Sequence, residues 1–202
     1  PRSTLFPYTT LFRSLPSLNV PGWLIDVNDD GSLLYTIDYQ WDDFGRRRNS
    51  LNVLRVVGEQ AVLVDVLPVG DQVHRALFRD QVIWLTTHKY PWWGVRGETV
   101  ASRQPYTVLQ RAVVDDAGRI ASLSGASLPG YSFSLLDLEE QTAYLASTGP
   151  YGLLVLNVAD PADPRILRAA RTIGYVSRVV RHEGHIYLPL GIYGVHRTWL
   201  DL

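Results

Sequence analysis

A glycine followed thirteen or fourteen residues later by an aromatic residue, with β-rich sequence between them, occurs four times in this chain of 202 residues. The copies run from Gly22 to Tyr35, Gly70 to Trp84, Gly130 to Tyr144 and Gly174 to Tyr187, so that their starts lie 48, 60 and 44 residues apart. A motif returning at such intervals requires equivalent supersecondary units. Each is too small to bury its own apolar surface and must stack on its neighbours. Within each copy an apolar stretch leads through a tight polar turn to a second stretch. The turns fall at residues 28–31, 79–80, 139–140 and 183–184, where Asn, Asp, Glu and Gly supply positive φ or bond their own backbone.

Third and fourth strands are predicted at residues 51–57 and 61–64, 106–114 and 119–123, and 152–158 and 165–167, again joined by turn-forming residues. No segment sustains the 3.6-residue apolar period of a helix. Each unit therefore reads as a four-stranded antiparallel meander. A period of about 40 to 50 residues built from short strands is that of a propeller blade. The predicted fold class is all-β, a β-propeller fragment of about four blades with units starting near 22, 70, 130 and 174. The last unit stops after its third strand, and residues 15–20 are read as an orphan outer strand.

Residues 1–14 include Thr4-Leu-Phe-Pro-Tyr-Thr-Thr-Leu-Phe-Arg-Ser14, which resembles the translation of a DNA-sequencing adapter, and they are set apart as non-native from residues 15–202. Methionine is absent throughout, so the remainder reads as a fragment of a longer reading frame. A net charge of −1 leaves no long-range attraction for nucleic acid, and the one basic run is Arg46, Arg47 and Arg48. No stretch approaches the roughly 18 consecutive apolar residues of a spanning helix. Without cysteine, neither disulfides nor thiolate metal sites enter.

The third unit carries the sharpest pattern. Leu153-Leu-Val-Leu-Asn-Val158 is followed by Asp160-Pro161-Ala-Asp-Pro164 and then by Gly174-Tyr175-Val176. This stretch resembles the LVIVD-repeat family of bacterial β-propellers, in which a Gly-Leu-x-Val-x-Asp-Val strand leads to an Asp-Pro-x-x-Pro turn and a glycine-aromatic restart. The other three units lack the Asp-Pro turn, so the resemblance covers about a quarter of the chain. It implies a secreted or cell-envelope propeller, in a family with no general catalytic motif to carry over.

In an up-and-down blade, the connection from second to third strand emerges on the same face as the connection to the next blade, and function concentrates on such loops. The first two units place Trp41, Phe44, Arg46, Arg47, Arg48, Tyr90, Trp92, Trp93, Arg96 and Arg103 on that rim. Trp, Tyr and Arg bury large areas for few rotors and keep a polar handle, which makes this rim the expected binding surface for a protein or a surface glycan. Residues 26–31 copy the opening of a calcium loop, but its twelfth position falls on Ile37, so a hairpin turn is predicted. His182 and His185 face each other across a hairpin without a third ligand. No catalytic residue, metal site or cofactor is predicted, and the function expected is a non-catalytic binding module. The alternative is a propeller hydrolase or lyase with groups such as Asp38 and His88 converging over the channel mouth.

Overall fold

The computed structural model describes residues 18–41, 47–70, 72–89, 106–128, 132–148 and 151–199. Among these residues there are fifteen strands and a 3-10 turn at Gly191–Tyr193, and no α-helix. The first sheet holds β1 (Trp23–Val27), β2 (Leu33–Trp41), β3 (Arg47–Val57) and β4 (Gln60–Gly70). The second holds β5 (Gln72–Arg79), β6 (Val82–Lys89), β7 (Tyr106–Val114) and β8 (Ile120–Leu128). In the third are β9 (Phe133–Glu139), β10 (Thr142–Thr148), β11 (Tyr151–Asn157) and β12 (Arg165–Arg171), and in the fourth β13 (Val180–His182), β14 (His185–Pro189) and β15 (Val195–Trp199). Strand order follows sequence order in every sheet and every pairing is antiparallel, so the expected meanders are present, four-stranded three times and three-stranded once.

Successive residues of a strand point to opposite faces of its sheet. In the second sheet Ile83 and Leu85 pack with Leu33, Tyr35, Ile37, Leu51 and Val53 of the first, while Trp84 between them packs with Leu135, Leu145 and Leu156 of the third. The third sheet repeats the arrangement, with Tyr144, Ala146 and Val155 meeting Ile186 and Leu188 of the fourth. Sheets that bury both faces need near-continuous apolar runs, which is what their second strands contain. The first strands are neighbours, β5 touching both β1 and β9, so they form the inner row of an array of blades. The chain is an all-β, propeller-like stack.

The repeat aromatic is the knob of each junction. Tyr35, Trp84 and Tyr144 are 1%, 8% and 1% exposed, and each faces the following blade. Tyr35 stacks on Phe78 with ring centroids 4.3 Å apart, and the Arg181 guanidinium lies 5.5 Å from the Tyr144 ring. Burial raises the pKa of both tyrosines, Tyr35 and Tyr144, above the ordinary phenol value. The repeat glycine has its own steric cause. Gly22 sits at φ +76°, and a Cβ there would collide with the Ile37 carbonyl, while at Gly174 it would meet Tyr193 and the Leu190 carbonyl at 2.7 and 2.8 Å. In both blades the glycine lets the chain entering the blade press against the backbone just beyond the repeat aromatic.

Several boundaries differ from expectation. The turn at Glu183-Gly184 falls where expected, but two others lie one position later, at Asp80-Gln81 with φ 53° and 60° and at Glu140-Gln141 with Glu140 at φ 47°, non-glycine residues here occupying the left-handed region that the strand twist demands. β3 begins at Arg47 rather than residue 51, which makes Arg47 and Arg48 strand residues and not loop residues. β4 and β8 run on to Gly70 and Leu128 through Pro68 and through Gly125. Both are outermost strands, where a missing N–H is tolerated, and Gly125 permits an approach to the Leu109 carbonyl that a Cβ would prevent. Residues 18–20 lie in no strand, so that part of the expected orphan strand is corrected.

Candidate binding surface

β2 carries residues 35, 37, 39 and 41 on one face. Tyr35 and Ile37 are buried against the second blade, but Tyr39 and Trp41 extend past it and are 41% and 66% exposed. The left-handed Gly22 turns the chain so that Trp23 pairs with Ile37 and its ring comes to 5.8 Å from Tyr39. Tyr39 in turn meets Trp41 edge to face at 6.4 Å. Three aromatic rings thus form a continuous exposed ladder on the loop face of the first blade, with Trp23 59% exposed at one end.

Of the residues expected on the rim, Trp41 belongs to this ladder. Arg48 pairs with Gln40 and so shares its face of the sheet, not that of Tyr39 and Trp41. The backbone of Arg47 pairs with that of Trp41. Phe44, Arg46, Tyr90, Trp92, Trp93, Arg96 and Arg103 lie outside the described residues. Trp23 and Tyr39 were not among the expected residues, because their adjacency depends on the Gly22 turn and not on sequence spacing.

A polar layer lies beside the loop face between the second and third blades. Thr86, His88 and Thr107 are buried there. Phe133 N–H donates to Thr107 Oγ1 at 3.1 Å, and His88 Nε2 donates to the Phe133 carbonyl at 3.3 Å. The His74 and His88 rings stack at 4.6 Å. Burial holds both imidazoles below the usual histidine pKa, helped at His74 by the neighbouring His88 and Arg75. Asp38 Oδ1 accepts the Tyr39 N–H at 2.7 Å. Asp38 and His88 are therefore each engaged with nearby backbone.

The opposite face is acidic and locally satisfied. A cleft of about 580 Å³ between the first two blades is lined by Asp26, Asp30, Asp80, Asp115 and Asp116 among others. Asp26 accepts from Val27 N–H, Asp30 from Ser32 N–H, Asp115 from Arg119 N–H and Asp116 from Gln81 Nε2. Hydrogen bonding by the Ser32 side chain, then by its backbone, lowers the pKa of Asp30. Residues 26–31 thus form the hairpin that was expected, with Asn28 accepting from Leu33 N–H. His182 and His185 do stand opposite each other, His185 Nδ1 lying 2.9 Å from the Glu183 carbonyl. Among the described residues no three or more His, Cys, Asp or Glu side chains gather as a metal site would require, and no helix is long and apolar enough to cross a membrane.

No family model and no curated protein matches this chain. Among solved structures it is similar to the hydrazine synthase of Kuenenia stuttgartiensis, with a TM-score of 0.60 at 13% identity over 87% of this chain. The match spans 57% of that chain. At this identity the likeness is one of fold, and it supports the propeller-like all-β class.

Proposed function

We propose that the chain is a non-catalytic binding module of a bacterial cell-envelope or secreted β-propeller of the LVIVD-repeat type, and that the Trp23, Tyr39 and Trp41 ladder is its contact surface. The observation that carries this reading is the exposure of three contiguous aromatic rings at 59%, 41% and 66% on the loop face. Side chains of this kind are usually buried at an interface, where they contribute more than most contacts. The LVIVD-like sequence lies in β11 and the turn that follows it, and it supports the family and the extracytoplasmic setting. The test compares the chain with a Trp23→Ala/Trp41→Ala double variant of matched thermal stability in retention of envelope proteins and glycans. At least about a tenfold loss of retention is expected, the size of one hot-spot truncation. Equal retention by the two proteins would count against the ladder.

A further inference from the structure

The first and third blades set the same two residues side by side, a repeat tyrosine and an aspartate paired with it across the first two strands. Tyr35 pairs with Asp26, and Tyr144 with Asp137. At Tyr144 the following blade supplies a cation. The Arg181 guanidinium lies 5.5 Å from the tyrosine ring and 3.2 Å from the Asp137 carboxylate. Arg181 pairs with Ile186, the residue before the next repeat aromatic. In the second blade the residue at that position is Phe78, which pairs with Ile83 and stacks on Tyr35 at 4.3 Å. Between the first two blades the tyrosine and the aspartate are thus kept, and the cation is replaced by an apolar ring.

Asp26 stands in the 580 Å³ cleft together with Asp29, Asp30, Asp80, Asp115 and Asp116. Among the described residues none of these six carboxylates takes part in an ion pair. Arg79 is the basic residue of the lining, but its guanidinium is turned to the Leu138 carbonyl and to Asp137 of the third blade. The Tyr35 side chain, 1% exposed, reaches the same cleft. Its hydroxyl has no hydrogen-bond partner among the described residues, and after burial it is the Asp30 and Asp26 carboxylates that raise its pKa. A buried hydroxyl without a partner costs stability that a ligand group can restore. Leu33 and the Tyr35 and Phe78 rings add an apolar wall. A cleft lined by charge of one sign concentrates counter-ions, and its volume is that of a small-molecule site. The carboxylates do not gather three around one point as a metal requires, so the charge to be met is spread out.

We propose that this cleft, on the face opposite the aromatic ladder and independent of it, binds a small organic cation with two or more ammonium or guanidinium groups on a methylene chain. One cationic group stands beside Asp26 and Tyr35, as the Arg181 guanidinium stands beside Asp137 and Tyr144. It donates to the Tyr35 hydroxyl and to a carboxylate, a charge-assisted bond of the stronger kind. The methylenes lie along the apolar wall, and the second cationic group meets the carboxylates of the neighbouring turns.

Calorimetric titration of the full chain with spermidine and with agmatine tests the proposal, together with variants whose melting temperatures match the parent. Asp26→Asn/Asp30→Asn keeps an oxygen for the Val27 and Ser32 N–H groups while removing two charges. It is expected to bind at least about tenfold more weakly, and Tyr35→Phe about threefold more weakly. Asp163→Asn/Glu183→Gln removes the same charge from exposed turns of the third and fourth blades and should bind as the parent does. Binding of spermidine alone assigns ammonium groups to the ligand, and of agmatine alone a guanidinium. No binding of either probe, an equal loss in the Asp163/Glu183 variant, or full affinity in Tyr35→Phe would overturn the proposal. Competition by calcium beyond that of sodium chloride at equal ionic strength would do the same in favour of a metal, and tighter binding of a tetralysine peptide in favour of a protein partner.

Discussion

The repeat glycine and the repeat aromatic are legible in sequence because each answers a steric demand that few residues meet. Gly22 combines a left-handed φ of +76° with backbone pressed against its missing Cβ, whereas Gly31, at φ +72°, has nothing within 4 Å. Alanine at Gly22 must therefore relieve a collision as well as backbone strain, while at Gly31 only the strain remains. Gly22→Ala is expected to destabilise by clearly more than the roughly 1 kcal/mol that an open left-handed site costs, and Gly31→Ala by about that amount, as read from urea midpoints. Equal effects at the two sites would mean that the close approach is not what selects glycine. The ladder was less legible. Trp41 could be expected from its place before the loop, but Trp23 reaches Tyr39 only through the Gly22 turn, and Arg48 shares the face of Gln40 because β3 starts earlier than its composition suggests.

Inner strands could be read from sequence, and the outer strands were undercounted. β8 contains Ser122, Ser124, Gly125 and Ser127, whose low strand preference concealed a ladder that β7 imposes through pairing. At its loop end the packing between the second and third blades turns polar, and it titrates. The pKa values of His74 and His88 lie below 6.5 in the fold, chiefly through burial, although the Phe133 carbonyl pulls His88 the other way. As pH falls below 6.5 the unfolded chain takes up these protons first. Their effect is absent above that value, stability declines as pH drops through it, and the loss levels off once the folded imidazoles are protonated. Denaturation from about pH 7.5 down to about pH 5 is expected to show a steeper loss for the parent than for a His74→Gln/His88→Gln variant. Parallel curves would show that the stacked pair does not contribute.

At the scale of the molecule, the spacing of the repeats foretold the four sheets found among the described residues, but not what links them electrostatically. Asp137 lies 3.8 Å from Arg79 and 3.2 Å from Arg181, so one carboxylate of the third blade ties it to the second and the fourth, and Arg181 also pairs with Glu139. These contacts come from strands separated by whole blades, and no local sequence signal announces them. The central claim is that each blade drives its repeat aromatic into the next. A double-mutant cycle on Tyr35→Leu and Phe78→Leu, with unfolding free energies from denaturant titration, tests it most directly. The stacked pair predicts a coupling of about 0.5–1.5 kcal/mol beyond the sum of the single changes. Additivity to within about 0.3 kcal/mol, the behaviour of distant and independent sites, would contradict the packing of one blade on the next.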